Sequence, residues 1–374
     1  MERVAFISPR TSRCSTTSRF PFPSTPTGWF VVALSSELPP GGVSPLRYFG
    51  RELVLFRAES GEPRVLHAFC PHLGAHLGYG GQVEGASIRC PFHGWCFDGQ
   101  GACTAIPLAT RRRPTPSIPS FPVCERNGMI LVHFHSAGEA PAWEIPELPE
   151  HDSPEWTPFD MRRWKIRTHI QEMAENGFDV THFRALHGLH NQPEPELTFD
   201  GPHCRMRVRT VMETPFGVHD GDLAFHSLGF GFGLVRFSGL IDTLLVTAIT
   251  PIDEEYVDAR FFYKVKKLPD EGATRIVGQG FIDELSRQVD QDIRIWENKV
   301  YLERPVYGEQ DGSIAAFRRW ARQFYPRTDD AQPQQPDRPF IGTPRPNLAN
   351  RPKGDRSRRD PWLRASAERA GETD

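Results

Sequence analysis

The sequence predicts an α+β protein with a small all-β domain, followed by a larger domain in which helices lie on one side of an antiparallel sheet. Short apolar runs between Gly and Pro turns dominate residues 20–137, which is typical of an antiparallel barrel-like module. Residues 138–326 mix longer strand-like runs with helical patterns. The 374 residues are enough to bury a core in each of two domains.

In the first domain, the apolar run at residues 29–34 predicts the first buried strand. Shorter strands are predicted at 52–57 and 64–68, between turns rich in Gly, Pro and Glu. The run at 129–134 predicts the strand that closes this module. A Pro- and Glu-rich segment at 141–154 is interpreted as the connector between the domains.

The second domain is predicted to contain both helices and strands. Helical patterns lie at residues 169–186, 282–300 and 313–324. Strand patterns lie at residues 204–213, 222–227, 233–249 and 256–267. This order indicates an antiparallel sheet with helices on one face.

Residues 1–19 and 327–374 have little apolar content, and both are expected to be disordered. The net charge of −3 gives no reason to expect nucleic-acid or membrane-surface binding. No run approaches the roughly 18 apolar residues that a membrane span needs. The five cysteines outside the motif described next are expected to be reduced thiols, so the protein is expected to be cytoplasmic.

The main chemical motif is Cys70-Pro71-His72, followed after a seventeen-residue gap by Cys90-Pro91-Phe92-His93. Two thiolates and two imidazoles in paired turns are the ligand set of a Rieske [2Fe–2S] cluster, in which one iron binds two Cys and the other binds two His. A Cys2His2 zinc site is the alternative, but zinc fingers group Cys with Cys and His with His. His76 is interpreted as a loop histidine that makes a local hydrogen bond, not as a further ligand.

A second motif, N-x-x-D-x-x-H-x4-H, runs from Asn176 through Asp179 and His182 to His187. On a helix, the first three of these residues would form one polar stripe. His187 would be rotated away from that stripe unless the backbone bends near Gly188. Two histidines and one carboxylate form the facial triad of a mononuclear non-haem Fe(II) site, which leaves positions for O2.

Asp292 is the favoured carboxylate, because it projects from the apolar side of the helix predicted at 282–300. A buried carboxylate there needs a partner or a metal. A local cap or ion pair is the alternative role for Asp292, and Asp290 is the reserve candidate for the ligand. His169 and His190 are not expected to be ligands.

With both motifs in place, the chain resembles the α subunit of Rieske non-haem iron oxygenases over about residues 20–326. The resemblance implies a helix-grip catalytic domain and a head-to-tail homotrimer, in which the cluster of one subunit serves the iron of its neighbour. It also implies that Asp179 is the electron bridge between subunits and that Asn176 lies beside the iron.

Three stretches resemble the steroid-acting branch, the 3-ketosteroid 9α-hydroxylases and cholesterol 7-desaturases. They lie at residues 20–30, 291–299 and 311–325. This resemblance implies hydroxylation or desaturation of an apolar polycyclic substrate, such as a steroid or sterol. A secondary metabolite or an aromatic compound remains an alternative substrate class.

The sequence contains no G-x-G-x-x-G fingerprint after a strand. NAD(P)H and flavin are therefore expected on a separate reductase or ferredoxin partner. A Rieske electron carrier with a vestigial iron site is the alternative from another functional class.

The substrate wall is sought in residues 228–235, where Gly alternates with bulky apolar residues, and in residues 244–246. Ordinary sheet core is an equally acceptable interpretation of both stretches.

Overall fold

The computed structural model describes residues 19–107, 116–188, 194–214 and 217–326. The expected disorder at 1–19 and 327–374 therefore falls outside the described residues, except for Arg19. His190 lies outside them as well. No helix in the described ranges is both long and apolar enough to cross a membrane.

The N-terminal part is built only from strands and short turns. Its strands are β1 (Gly28–Leu34), β2 (Val43–Tyr48), β3 (Arg51–Arg57), β4 (Pro63–His67), β5 (Gln82–Glu84), β6 (Ser87–Arg89), β7 (Cys96–Asp98), β8 (Cys103–Ala105), β9 (Ser120–Phe121), β10 (Val123–Arg126) and β11 (Met129–Phe134). They form three small antiparallel sheets in the orders β1-β11-β10, β2-β3-β4-β9 and β5-β6-β7-β8.

The described residues of the C-terminal part form one large sheet and four α-helices. The helices are α1 (Ile170–Asn176), α2 (Val180–Ala185), α3 (Glu271–Trp296) and α4 (Gly312–Ala321). The strands are β12 (Asp160–Ile166), β13 (Glu196–Asp200), β14 (His203–Thr214), β15 (Gly217–Leu228), β16 (Phe232–Ser238), β17 (Thr243–Pro251) and β18 (Val257–Val265). The antiparallel order is β12-β18-β17-β16-β15-β14-β13. This architecture confirms the predicted α+β fold.

The large sheet is covered on both faces, which explains its apolar strands. On one face, Val235, Leu245 and Tyr263 belong to the same buried cluster as Val289 and Trp296 of α3. On the other face, alternate residues of the same strands belong to a second buried cluster with residues of β1 and β11. This second cluster includes Trp29, Val31, Leu131, Phe232, Leu234, Leu244, Val246 and Phe262. The β1-β11-β10 sheet therefore packs on the face opposite to α3.

Helix α3 differs from its prediction at both ends. It begins at Glu271, eleven residues before the predicted start at 282, and it ends at Trp296. Asp270 caps it through a hydrogen bond from the Ala273 N–H to Oδ1 (2.6 Å). Ile295, in the last turn of the helix, and Val300, beyond its end, are about half exposed, so neither extends the buried face of α3.

The segment before β1 is hydrogen-bonded to the C-terminal end of α3. The Arg19 guanidinium donates hydrogen bonds to the carbonyls of Glu297 (2.7 Å), Lys299 (3.1 Å) and Arg167 (2.8 Å). A cation at these carbonyls satisfies acceptors that a helix end leaves open and complements the helix dipole. His169 adds a second tie, because its Nε2 lies 3.0 Å from the Pro23 carbonyl oxygen.

A buried polar network joins β2 to the large sheet. The Tyr48 hydroxyl donates to Asp258 Oδ2 (2.6 Å), and Arg163 forms a two-pronged pair with the same carboxylate (2.7 and 2.8 Å). Arg260 donates to Asp258 (3.1 Å) and to the Tyr48 hydroxyl (2.9 Å). Burial raises the pKa of Asp258, but the two guanidinium groups lower it by more, so it lies below its usual value.

Replacing Asp258 by Asn is expected to lower the free energy of unfolding by about 3–5 kcal/mol, because two guanidinium groups would lose their buried counter-charge. Urea unfolding followed by tryptophan fluorescence measures this loss. Glu255→Gln, at an exposed pair with Arg167, should cost less than about 1 kcal/mol. Because the folded pKa of Asp258 is depressed, its stabilisation should be lost as pH falls through that folded pKa. Equal losses in both variants would contradict this account.

Candidate functional site

The two cysteines of the first motif each begin a tight turn. The Gly74 N–H donates to the Cys70 carbonyl (2.9 Å), and the Gly94 N–H donates to the Cys90 carbonyl (3.1 Å). Both glycines have positive φ, +75° and +70°, which is why glycine closes each turn. The two turns are therefore built alike, as the mirrored motif predicts.

The cysteines and the histidines of these turns differ in their exposure to solvent. Cys70 and Cys90 are 2% and 3% exposed, whereas His72 and His93 are exposed. The two imidazole rings are neighbours, with centroids 4.6 Å apart, and His72 stacks on Trp95 at 4.5 Å. Two inward thiols and two outward imidazoles on facing turns form a donor set that fits a [2Fe–2S] cluster.

The environment of the thiols also fits a metal cluster. Burial raises the pKa of Cys70 to about 11, and the neighbouring Cys90 thiol adds to the shift. The buried Cys70 thiol therefore keeps its proton unless a cation compensates the thiolate charge.

His76 does not share this arrangement. Its Nδ1 accepts a hydrogen bond from the Gly78 N–H (3.0 Å), and its Nε2 faces Glu52 Oε2 at 3.7 Å. The structure therefore places this histidine in a local loop contact, which agrees with the role expected for it.

The second motif spans two short helices and not one. Helix α1 ends at Asn176, and Asp179 caps α2 by accepting hydrogen bonds from the N–H groups of Thr181 (3.1 Å) and His182 (3.3 Å). The expected continuous polar stripe is therefore wrong in this detail. The break still brings Asn176 Nδ2 within 3.2 Å of His182 Nε2.

His182, His187 and Asp292 converge, and one donor atom from each lies within 4.8 Å of the others. Asp292 Oδ1 is 3.4 Å from His187 Nε2 and 3.9 Å from His182 Nε2. His187 follows the end of α2, and Gly188 after it has a φ of +78°, which provides the bend that the sequence required. Asp292 comes from α3, on the opposite side of the group.

Both histidines present the same ring nitrogen to this centre. His182 Nδ1 is hydrogen-bonded to the Asp179 carbonyl, and His187 Nδ1 lies 3.0 Å from Gln291 Oε1. A proton on each Nδ1 leaves each Nε2 as an acceptor on the side of Asp292, and Asn176 Nδ2 also contacts the Nε2 of His182. Such supporting hydrogen bonds fix the tautomer of metal-binding histidines. Gln291 was not singled out as a site residue from the sequence, and only its position beside Asp292 could have indicated it.

Burial and charge at this centre favour a cation. Asp292 is 7% exposed, and its Oδ1 makes no hydrogen bond. Burial lowers the pKa of His182, which favours the neutral imidazole that binds metals. Burial alone also lowers the pKa of His187, but the nearby Asp292 carboxylate and the hydrogen bond with Gln291 outweigh it, and the pKa is raised. An unpaired buried carboxylate oxygen facing two imidazoles fits a divalent metal such as Fe(II).

The remaining candidates lie away from this centre. Asp290 Oδ1 accepts a hydrogen bond from Trp164 Nε1 (3.0 Å), so the reserve carboxylate is engaged elsewhere. His169 is buried at the start of α1, where its Nδ1 accepts from the Gln171 N–H (3.1 Å). Neither residue belongs to the converging group.

The His/His/Asp centre opens onto a cavity of about 200 Å³ between the large sheet and the helices, far more than one water molecule needs. Side chains from β15 to β18 form one wall, and α1, α2 and α3 contribute the other. The wall is mostly apolar and aromatic, and it includes Phe225, Phe237, Leu245 and Phe261. Such a cavity suits an apolar ligand next to a reactive metal.

The predicted wall residues divide between the two faces of the sheet. Phe230, Gly233 and Val235 line the cavity, whereas Leu244 and Val246 belong to the buried cluster on the opposite face. The glycines also differ in role. At Gly231, a Cβ would lie 2.2 Å from the Trp29 carbonyl oxygen, so this glycine admits strand β1 and not a ligand.

Two family descriptions match the chain. Residues 28–122 match the Rieske [2Fe-2S] domain, and residues 132–325 match the 3-ketosteroid 9alpha-hydroxylase C-terminal domain. The second match alone covers more than half of the chain.

Similar curated proteins include a cholesterol 7-desaturase from Xenopus laevis, which is 32% identical over 81% of this chain and 72% of its own length. The oxygenase component of a 3-ketosteroid-9-alpha-monooxygenase from Rhodococcus rhodochrous is 29% identical over 81% and 82%. Among solved structures, dicamba monooxygenase bound to dicamba superposes with a TM-score of 0.63 at 21% identity, over 79% of this chain and 96% of its own. NdmB of Pseudomonas putida CBB5 gives 0.64 at 19% identity, over 78% and 89%. At these identities the structural likeness concerns the fold.

Proposed function

The chain belongs to the 3-ketosteroid 9α-hydroxylase family of Rieske non-haem iron oxygenases, and from this premise we propose that it hydroxylates or desaturates a steroid or sterol. The observation that carries the proposal is the apolar cavity that ends on His182, His187 and Asp292. The names of its relatives support the same substrate class.

In this proposal, His182, His187 and Asp292 hold Fe(II), while Cys70, Cys90, His72 and His93 hold the [2Fe–2S] cluster. When bound, the cluster supplies single electrons and the Fe(II) activates O2. The residues around each centre position its ligands. Asp179 and Gln291 fix the two imidazole tautomers, and Asn176 Nδ2 lies 3.2 Å from His182 Nε2, the nitrogen that faces Asp292.

The cavity wall supplies the other requirement of the reaction. Aromatic and aliphatic side chains exclude water and hold a rigid hydrocarbon with one C–H bond facing the triad. No Lys or Arg contributes to the described cavity wall, and its one carboxylate belongs to the triad. A neutral polycyclic ligand fits this wall better than a charged one.

The chain is the oxygenase component of a multi-component system, which implies a reductase or ferredoxin partner that handles NAD(P)H and flavin. We further propose a head-to-tail homotrimer, supported by the exposed tip of the cluster turns. His72 and His93 are exposed there beside Leu73 and Phe92, which are 65% and 60% exposed. Asp179 is about a quarter exposed and is proposed to meet this tip of a neighbouring subunit.

Turnover with a generic ferredoxin and reductase tests the substrate class. NADPH, O2 and a panel of 3-ketosteroids and sterols should give products heavier by one oxygen atom or lighter by two hydrogen atoms, detected by mass spectrometry. The same mixture without O2 is the control. A panel in which only simple aromatic compounds are converted would contradict the steroid proposal.

Iron and acid-labile sulfide analysis separates the oxygenase from an electron carrier. The oxygenase should contain one iron beyond the two irons and two sulfides of its cluster. A chain with cluster iron only, after reconstitution with excess Fe(II), would favour the electron carrier.

A further inference from the structure

We infer that a row of two hydroxyls and one glycine in the cavity binds a neutral oxygen atom, a ketone or an alcohol, of the substrate. The inference rests on the proposed function and states which part of a steroid the cavity recognises. The row consists of Ser227 on β15, Gly233 on β16 and Thr247 on β17, and all three line the cavity.

The register of the sheet aligns these residues. Ser227 pairs with Gly233, and Gly233 pairs with Thr247, so the three lie directly opposite one another on adjacent strands. Residues opposite one another in antiparallel strands project to the same face of the sheet. The row therefore forms a continuous strip of the cavity wall.

The glycine creates a recess between the hydroxyls. A Cβ built on Gly233 would lie 2.5 Å from Thr247 Oγ1 and 3.8 Å from Ser227 Oγ. Both hydroxyl oxygens therefore border the space that a side chain at this position would fill. A single ligand oxygen in that space can reach both of them.

Neither hydroxyl has a hydrogen-bond partner among the residues that the structure describes. Thr243, which faces the same side of β17, instead donates to the Ile241 carbonyl (3.3 Å). Hydroxyls in apolar surroundings are unfavourable without a partner, so Ser227 and Thr247 have bonding capacity left for a ligand.

The charge of the cavity selects a neutral ligand atom. A carboxylate placed at the recess would find no cationic side chain on the described wall. A ketone oxygen accepts hydrogen bonds from both hydroxyls, and an alcohol can donate to one and accept from the other. Both groups fit the recess, whereas an unsubstituted hydrocarbon end leaves the hydroxyls unpaired.

The recess lies near the turn between β15 and β16. Only the pair Leu228–Phe232 separates it from the turn between β15 and β16. Phe230 in that turn lines the cavity and packs against Phe324, with ring centroids 4.9 Å apart.

Strand β15 runs from the recess toward the proposed iron site. Phe225 faces the cavity two residues before Ser227, about 7 Å along the strand. Its ring lies 3.8 Å from the position that a Cβ on Gly177 would occupy, beside Asn176. An oxygen held in the recess therefore fixes which carbon of a rigid ring system faces the triad.

The test uses the full-length holoenzyme with Ser227→Ala, Thr247→Val and the double variant. Thr243→Val is the matched control, since it makes the same change on the same face of β17 outside the cavity wall. The ligands are 5α-androstan-3-one, 5α-androstan-17-one and the parent hydrocarbon 5α-androstane, with dissociation constants from equilibrium dialysis. Whichever of the two ketones places its oxygen in the recess should bind roughly tenfold more weakly to each single variant. It should bind roughly a hundredfold more weakly to the double variant. Binding of 5α-androstane should change less than about twofold.

The outcomes separate this inference from the proposed function. If wild-type enzyme converts a ketosteroid but the double variant binds both ketones as tightly as wild type, the recess does not bind the oxygen and the proposed function stands. Equal weakening for ketones and hydrocarbon would also overturn the inference. If wild-type enzyme neither binds nor converts any steroid or sterol, the proposed function fails, and the inference fails with it.

Discussion

Asp292→Ala is expected to remove the mononuclear iron and leave the [2Fe–2S] cluster in place. The carboxylate comes from α3, far in sequence from the cluster turns, and its Oδ1 faces both imidazoles without a hydrogen bond. Iron should fall by one per chain while acid-labile sulfide stays constant. Product formation should fall by more than the roughly 10–100-fold that loss of a supporting hydrogen bond costs at metal sites.

The control for this variant lies two residues away on the same helix. Asp290→Ala removes a carboxylate that accepts a hydrogen bond from Trp164, outside the converging group. Its iron content should match that of wild type. Iron loss in Asp290→Ala together with full iron in Asp292→Ala would show that Asp290 is the ligand.

Asp179→Asn should retain both metal centres and lose turnover. Asn is as good a helix cap as Asp, so the start of α2 and the position of His182 should be kept. The change removes the carboxylate charge of Asp179, which lies 3.8 Å from His182 Nδ1. The Asp179 side chain is about a quarter exposed to solvent. We expect a loss in product formation of at least about 10–100-fold, as for other residues that support a metal ligand.

Single-turnover experiments measure this effect directly. With the cluster reduced in advance, substrate and O2 should oxidise it much more slowly in Asp179→Asn than in wild type, followed by its absorbance. Asp270→Asn makes the same change at the cap of α3, where Asp270 accepts from the Ala273 N–H. It should react at the wild-type rate. A wild-type rate in Asp179→Asn would show that this charge has no part in the reaction.

Much of the large sheet could be predicted from the sequence, because β16, β17 and β18 are mostly buried on both faces and rich in apolar residues. In the large sheet, β12 and β13 were not predicted, and both are edge strands. In the N-terminal part, β2 was missed at another sheet edge, and β5 to β10 were missed because each has only two to four residues. An edge strand buries less of its surface, so its apolar pattern is weak. Strand β2 also contains Pro45, which edge strands tolerate and central strands do not.

Helix α3 shows how tertiary packing overrides local preference. Its first half contains Gly272, Gly278 and Gly280, which lower helix propensity. The start of the helix was therefore predicted too far along the chain. At Gly278, a Cβ would lie 2.9 Å from Val265 Cγ2, so the helix needs a residue without a side chain to pack this close to β18. No local pattern reports such a contact.

The chemical centres were easier to predict than the cavity. Cys70, His72, Cys90 and His93 are close in sequence, and so are His182 and His187, so their spacing alone indicates a shared role. The row of Ser227, Gly233 and Thr247 exists only because of the register between three strands. Pairing register depends on turns and packing across the sheet, which the separate strands do not encode.

The hydrogen bonds from Arg19 to the end of α3 have a consequence for how the enzyme matures. Arg19 and its acceptor at Glu297 are 278 residues apart, so this contact can form only after Glu297 has left the ribosome. The helix that carries Asp292, α3, ends directly before these acceptors, so it also forms late in synthesis. Iron should therefore enter its site after synthesis, whereas the cysteine and histidine turns can acquire their cluster earlier.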